Sequence, residues 1–165
     1  MERINRILHH PDYQNYLEEN IAAEKDRVFC RHNMEHFLAV ARIAMLLNLQ
    51  ENLQIGQEIV YAAAILHDIG RFKQYREQIP HELASAKLAL PILKDCGFSD
   101  EEIDCIVHAI TTHRRKNEPV KYGDMKDNLT DLLYRADKMS RDCFACPAKA
   151  ACNWPDEKKN HKIIL

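Results

Sequence analysis

Glycine is scarce in this chain, 4 in 165 residues, and alternations of β-branched and polar residues are few. These absences argue against sheet and predict an all-α protein. The longest apolar run, Ile59 to Leu66, is far short of the ~20 residues needed to cross a bilayer. Neither sign of charge dominates: 23 Lys and Arg stand against 25 Asp and Glu, a formal net charge of −2. That balance offers no basic footprint for a nucleic-acid polymer or an anionic membrane. Behind Met1-Glu2-Arg3-Ile4-Asn5-Arg6 there is no apolar segment, so no signal peptide is predicted and a cytoplasmic location is expected. No repeat, low-complexity tract or linker interrupts the chain, which predicts one domain over 1–165 with room for a real core. In a reducing compartment the 6 cysteines are thiols or metal ligands, not a disulfide framework.

What the chain does have is helical periodicity and histidine. Residues 2–9 predict a short helix, and Pro11 suits the first turn of a second one reaching about Asp26. Over 31–49, Phe37, Val40, Ala41, Ala44 and Leu47 keep the three-four spacing of one buried stripe. The apolar run predicts a central helix over 55–68, with Gly70 as its stop. Pro80 opens a helix rich in small residues. Ser99 with Glu102 forms a capping box for another, reaching about Arg115. The segment 117–124, with Pro119 and Gly123, reads as a loop, and Asn128–Met139 as the last core helix. Six or seven helices in an irregular bundle are expected, with a cysteine-containing tail over 143–165 packed on it.

At the end of the central helix stand His67 and Asp68. With 9 His in the chain, a His-Asp dipeptide arises by chance on the order of once, so the context carries the signal. A polar pair that ends an apolar helix needs a partner or a metal. Other helices bring His36, His81, His113 and Asp137, mostly near their ends, as bundles do when they build di-metal sites. Imidazole and carboxylate ligands suit Fe, Mn, Co, Ni or Zn, one ion or two, and the lack of thiolates in the set argues against a closed structural zinc.

The pattern resembles the HD-domain superfamily of metal-dependent phosphohydrolases. It is carried by His36 in HFLAVARIA, His67-Asp68 in AAAILHDIGRF, His81 in HELASAKLAL, His113 in AITTH and Asp137 in LLYRADK. The order H…HD…H…H…D is similar to that of the dinuclear members. The resemblance implies that His36, His67, Asp68 and Asp137 hold one ion and that Asp68, His81 and His113 hold a second. Two departures narrow the likeness. No Gly-Tyr-Pro element follows His67-Asp68-Ile69-Gly70, which speaks against the cyclic-di-GMP phosphodiesterases of that type. Arg71-Phe72 stands where the alarmone hydrolases carry Glu-Asp.

The expected activity is hydrolysis of a small phosphate ester or anhydride, with a nucleotide as the favoured substrate class. Asp68, bridging the ions, and Lys138, serving the leaving group, are the catalytic candidates. Arg71, Lys138 and Arg114 are candidate phosphate binders, with Arg115 weaker. His32 is expected to play a supporting or surface part, and His108 a structural one. The alternative is a binding or sensing module that keeps the fold without turnover. A second constellation, Cys143-x2-Cys146-x5-Cys152, suggests a thiolate site for structural zinc or an iron–sulfur cluster, with Cys30 or His161 as fourth ligand. Simple packing of reduced thiols is the competing reading. Cys96 and Cys105 read as core.

Overall fold

The computed structural model describes residues 1–114 and 124–163. Among them are eight α-helices and no strand: α1 (Glu2–His9), α2 (Pro11–Ala23), α3 (Met34–Gln50), α4 (Gln57–Leu66), α5 (Arg71–Glu77), α6 (His81–Asp95), α7 (Asp100–Thr112) and α8 (Met125–Met139). The expected all-α bundle is what the chain forms. No helix of the described residues is long and apolar enough to cross a membrane. Arg115, the last two residues of the tail and all of the expected 117–124 loop except Asp124 lie outside the described residues.

The apolar run is the axis of the bundle. Val60, Ala62, Ala63, Ala64, Ile65 and Leu66 of α4 are fully buried, and α4 packs on α3 and α7 and touches α1, α6 and α8. Three consecutive alanines keep those neighbours close, because interaxial distance follows the side chains at the contact. Burying a side chain such as Ile65 or Leu66 stabilises the fold by roughly 1.5–3 kcal/mol each.

Helix boundaries follow the caps. The Asn33 side chain accepts the His36 backbone N–H at 3.1 Å, so α3 begins at Met34 and His32 falls in the loop before it. The Ser99–Glu102 capping box forms as expected. Glu102 also receives Arg3 at 2.6 Å, and Arg3 reaches Glu58 at 2.6 Å, which joins α1 to α7 and α4. The short helix α5 has no counterpart in the sequence expectation. It starts at Gly70 and ends where Gln78 turns to φ 58° ahead of Pro80.

The turn between α4 and α5 carries the His67-Asp68 pair, and two neighbours pin it. Buried Asn20 of α2 donates its amide to Asp68 O at 2.9 Å and accepts Phe72 N–H at 2.8 Å. From α6, Ser85 Oγ accepts Gly70 N–H at 3.0 Å. Gly70 is needed for that approach: a Cβ there would lie 2.6 Å from Ser85 N and 2.8 Å from Ala84 C.

Beyond α8 the tail makes three short 3₁₀ turns, Cys143–Ala145, Lys149–Ala151 and Asp156–Lys158. Buried Asn160 returns to the end of α8, sharing its amide among Lys138 O, Met139 O and Arg141 O at 2.8–3.2 Å. The first two are carbonyls that a helix end otherwise leaves without partners.

Candidate metal centre

Asp68 is the hub. Its Oδ1 lies 3.0 Å from His81 Nε2 and 3.9 Å from His113 Nε2. Its Oδ2 lies 3.4 Å from His67 Nε2 and 3.5 Å from His32 Nε2. The two oxygens of one carboxylate thus face two different groups of imidazoles. Ligand atoms of His36, His67 and Asp68, and separately of Asp68, His81 and His113, all come within 4.8 Å of one another. Helices α3, α6 and α7 and the α4–α5 turn each supply a member, so the centre is closed only when all are packed.

The second nitrogen of each ring explains how the rings are aimed. His67 Nδ1 donates to Ala64 O at 2.7 Å, and His113 Nδ1 donates to Ile110 O at 2.6 Å, each to the carbonyl three residues back. Both histidines sit just past a helix end, where such carbonyls are free. His81 Nδ1 lies 2.5 Å from Gln74 Oε1 and 2.7 Å from Arg71 Nη1. That nitrogen can serve only one of them, and we assign its proton to the carbonyl oxygen. His36 Nδ1 faces Ser140 Oγ at 3.3 Å, and Ser140 in turn donates to Asp137 O at 2.9 Å. In all four rings the proton on Nδ1 leaves the Nε2 lone pair toward the interior, the arrangement that metal-bound histidines use.

Of the inward atoms, His81 Nε2 has Arg71 Nη1 at 3.1 Å, but three others have no partner. His36 Nε2, His67 Nε2 and Asp68 Oδ1 are buried without a hydrogen-bond partner, and the 3.0 Å approach of His81 Nε2 to Asp68 Oδ1 is no hydrogen bond when the ring proton sits on Nδ1. Buried polar atoms are normally paired. A set of nitrogen and oxygen donors left open at one point fits a divalent cation.

Electrostatics agree. Burial pushes the His36 and His113 imidazoles down to about 4, and His67 adds to the effect on both, so both are neutral donors near pH 7. Burial opposes the charge on Asp68, but His67 and His32 hold its carboxyl well below the ordinary range.

Asp137 adjoins the first group, its Oδ1 3.6 Å from His36 Nε2. Its other oxygen is ion-paired with Lys138 and lies 3.6 Å from Arg141. Arg71 stands beside His81 on the wall of a cavity of about 570 Å³, which His32 and His36 also line. Lys138 is turned onto Asp137 and Tyr134 and is not among the residues lining that cavity. Arg114 is exposed and lies 3.8 Å from Glu82, away from the cavity wall. His108 makes no contact with the centre and belongs to α7.

His32 is closer to the centre than expected. Its Nδ1 bonds Glu24 Oε1 at 2.6 Å and its Nε2 addresses Asp68. Burial pushes the Glu24 carboxyl up, but hydrogen bonds from His32 and Tyr75 bring it down to about 2. Sequence reasoning missed Glu24, Gln74, Ser140 and Arg141. Only Arg141, four residues past Asp137, had a spacing that could have pointed to it.

The comparisons agree with the geometry. The family model described as "HD domain" matches residues 33–142. The chain is 47% identical over 163 residues to an uncharacterized protein of Clostridium beijerinckii, covering 99% of each. No solved structure matches. With every member of the H…HD…H…H…D order inside that match, and its histidines and Asp68 gathered at one buried point, the chain belongs to the HD domain family, of the metal-dependent phosphohydrolase superfamily.

Proposed function

We propose that the protein is a divalent-metal-dependent phosphohydrolase acting on a small phosphate ester or anhydride, with nucleotides as the favoured class. The observation that carries the reading is the division of Asp68, Oδ1 toward His81 and His113 and Oδ2 toward His67 and His32. In this reading His36, His67, Asp68 and Asp137 hold one cation, and Asp68, His81 and His113 the other. When bound, such cations act as Lewis acids and bring the pKa of a coordinated water near neutrality.

The chain's own groups supply the rest. Arg71, on the cavity wall next to His81, is placed to receive a phosphoryl oxygen, where charge-assisted donors are strong. Arg141 lines the same cavity with its guanidinium 3.9 Å from the centre of the Trp154 ring. That pair offers a cation and an aromatic face to an anionic, flat substrate. Lys138 fixes the charge and orientation of Asp137, and we assign it that positioning part ahead of contact with the leaving group.

The test is metal reconstitution of the chelated protein with Mn, Co, Ni, Fe or Zn in turn, followed by phosphate release from a panel of nucleotides and a chromogenic diester. Turnover that needs metal and disappears in Asp68→Ala supports the reading. Saturable nucleotide binding with no turnover under any metal would replace it with a binding or sensing module.

A further inference from the structure

The cavity that His32 and His36 line is also lined by cysteine. Cys30, in the loop between α2 and α3, and Cys143, Cys146 and Cys152 of the tail all line this one space. All are free thiols, and the remaining two, Cys96 and Cys105, are buried in the core. The 3₁₀ turns produce the arrangement: the first starts on Cys143 and is capped by Cys146, and the second is capped by Cys152. Successive short turns thus bring three cysteines to the same cavity. The Cys30 loop is held by Arg27, whose Nε donates to Cys30 O at 2.7 Å, and by Arg31, which donates to Arg27 O at 3.1 Å. His161 is engaged elsewhere, 3.0 Å from Asp156 O, which leaves Cys30 as the fourth member.

We infer that Cys30, Cys143, Cys146 and Cys152 together hold a thiolate-ligated metal centre that fastens the tail to the α2–α3 loop. Four thiolates around one cavity carry several negative charges, and the same wall provides Arg27, Arg31, Arg141 and Lys149 to offset them. The spread of the sulfurs bears on the metal. A single tetrahedral zinc with Zn–S near 2.3 Å needs sulfurs about 3.8 Å apart. No three of these cysteines bring their sulfurs within 4.8 Å of one another. An iron–sulfur cluster, which spreads its thiolates over two or four irons, fits the wider spread better. Because the cavity runs from these sulfurs to His32 and His36, the fastening also fixes one wall of the proposed substrate site.

The experiment is purification of the full chain without oxygen, with iron, acid-labile sulfide and zinc measured per chain. The background is Asp68→Ala, so that the histidine centre does not contribute. Iron at roughly 2–4 per chain with matching sulfide, lost in both Cys30→Ser and Cys146→Ser and kept in Cys96→Ala, is the expected result. Zinc at about one per chain without sulfide, lost in the same two variants, also supports the site and identifies its occupant. Neither metal, with all four thiols of the folded Asp68→Ala chain alkylated at once, overturns the inference. So does full metal retention in Cys30→Ser. Alkylation is read on a chain with every cysteine intact, so a misfolded cysteine variant does not blur the outcome. The result is also independent of whether the histidine centre is catalytic.

Discussion

The two sides of the Asp68 carboxylate are built differently. On one side, His81 and His113 have side chains that are 2–3% exposed, and His113 is aimed by a backbone carbonyl. On the other, His36 is 12% exposed on the cavity wall, aimed by a longer contact to a serine hydroxyl. Its companion Asp137 is restrained by Lys138 and Arg141. One side is fixed by the helical core. The other depends on the end of α8, which the tail covers. The difference teaches that two cations here would have unequal affinities, with the tighter one at His81 and His113.

The largest effect should come from removing what the sides share. Asp68→Ala is expected to abolish binding at both and to lower turnover by ~10³-fold or more, since metal activation of water and charge stabilisation are lost together. His113→Ala should remove one equivalent of metal and leave the other. Metal titration by calorimetry reads both, and two equal sites that fail together in His113→Ala would break the comparison.

Next is the turn that presents the pair. In Gly70→Ala the new methyl meets the α6 backbone at Ser85 N and Ala84 C, and neither can rotate away. Overpacking of this kind costs up to about 3 kcal/mol, a fall of about 6–12 °C in Tm for a chain of this size. Because α6 carries His81, metal should be lost first on the His81–His113 side. A variant with unchanged Tm and both equivalents of metal would show that α6 yields.

How far this was legible in the sequence follows from where each signal lies. The central helix, the capping box and the H…HD…H…H…D order were readable, because apolar period, cap chemistry and motif are local. His32 was not: Asn33 caps α3 and leaves His32 in the preceding loop, where its partner Glu24 comes from the residue after α2 and shows no pattern. Short α5 was missed because seven residues carry too little periodicity, and its start is set by Asn20 from α2. Lys138 looked like a cavity residue because it follows Asp137, a ligand candidate. On a helix, adjacent positions face different ways, and its ion pair with Asp137 holds it off the cavity wall.

A smaller effect concerns pH in the metal-free protein. The folded His113 imidazole titrates at about 4, lowered by burial from 6.5. Between those values the unfolded chain binds more protons than the folded one, so stability is full above pH 6.5 and declines as pH falls toward 4. The contribution is on the order of 3 kcal/mol at most. His67 acts in the opposite sense but above this window: burial lowers its pKa, yet Asp68 raises it above the usual 6.5, so its contribution is full below pH 6.5 and is lost as pH rises further. His36, pushed down to about 4 by the same burial, adds to the slope, so denaturant midpoints of the chelated protein should rise more steeply between pH 4 and 6.5 than His113 alone requires. His113→Gln should make the slope shallower without abolishing it, because His36 remains, and an unchanged slope would remove His113 as the cause.

The smallest predicted change gives the sharpest separation of the two sides. Ser140 is the side-chain partner of a ring nitrogen on the open side, accepting from His36 Nδ1 while donating to Asp137 O. Loss of such a partner weakens metal affinity by about 10–100-fold, and the lower end is expected because the 3.3 Å contact is long. Ser140→Ala should thus weaken one equivalent about 10-fold and leave the other, together with Tm of the metal-free protein, nearly unchanged. The closed side has no equivalent weak point at His113, where the accepting group is the Ile110 carbonyl, which substitution at residue 110 would leave in place. A Ser140→Ala protein in which both equivalents weaken alike would mean that His36 is coupled to the whole centre and that the two sides are one.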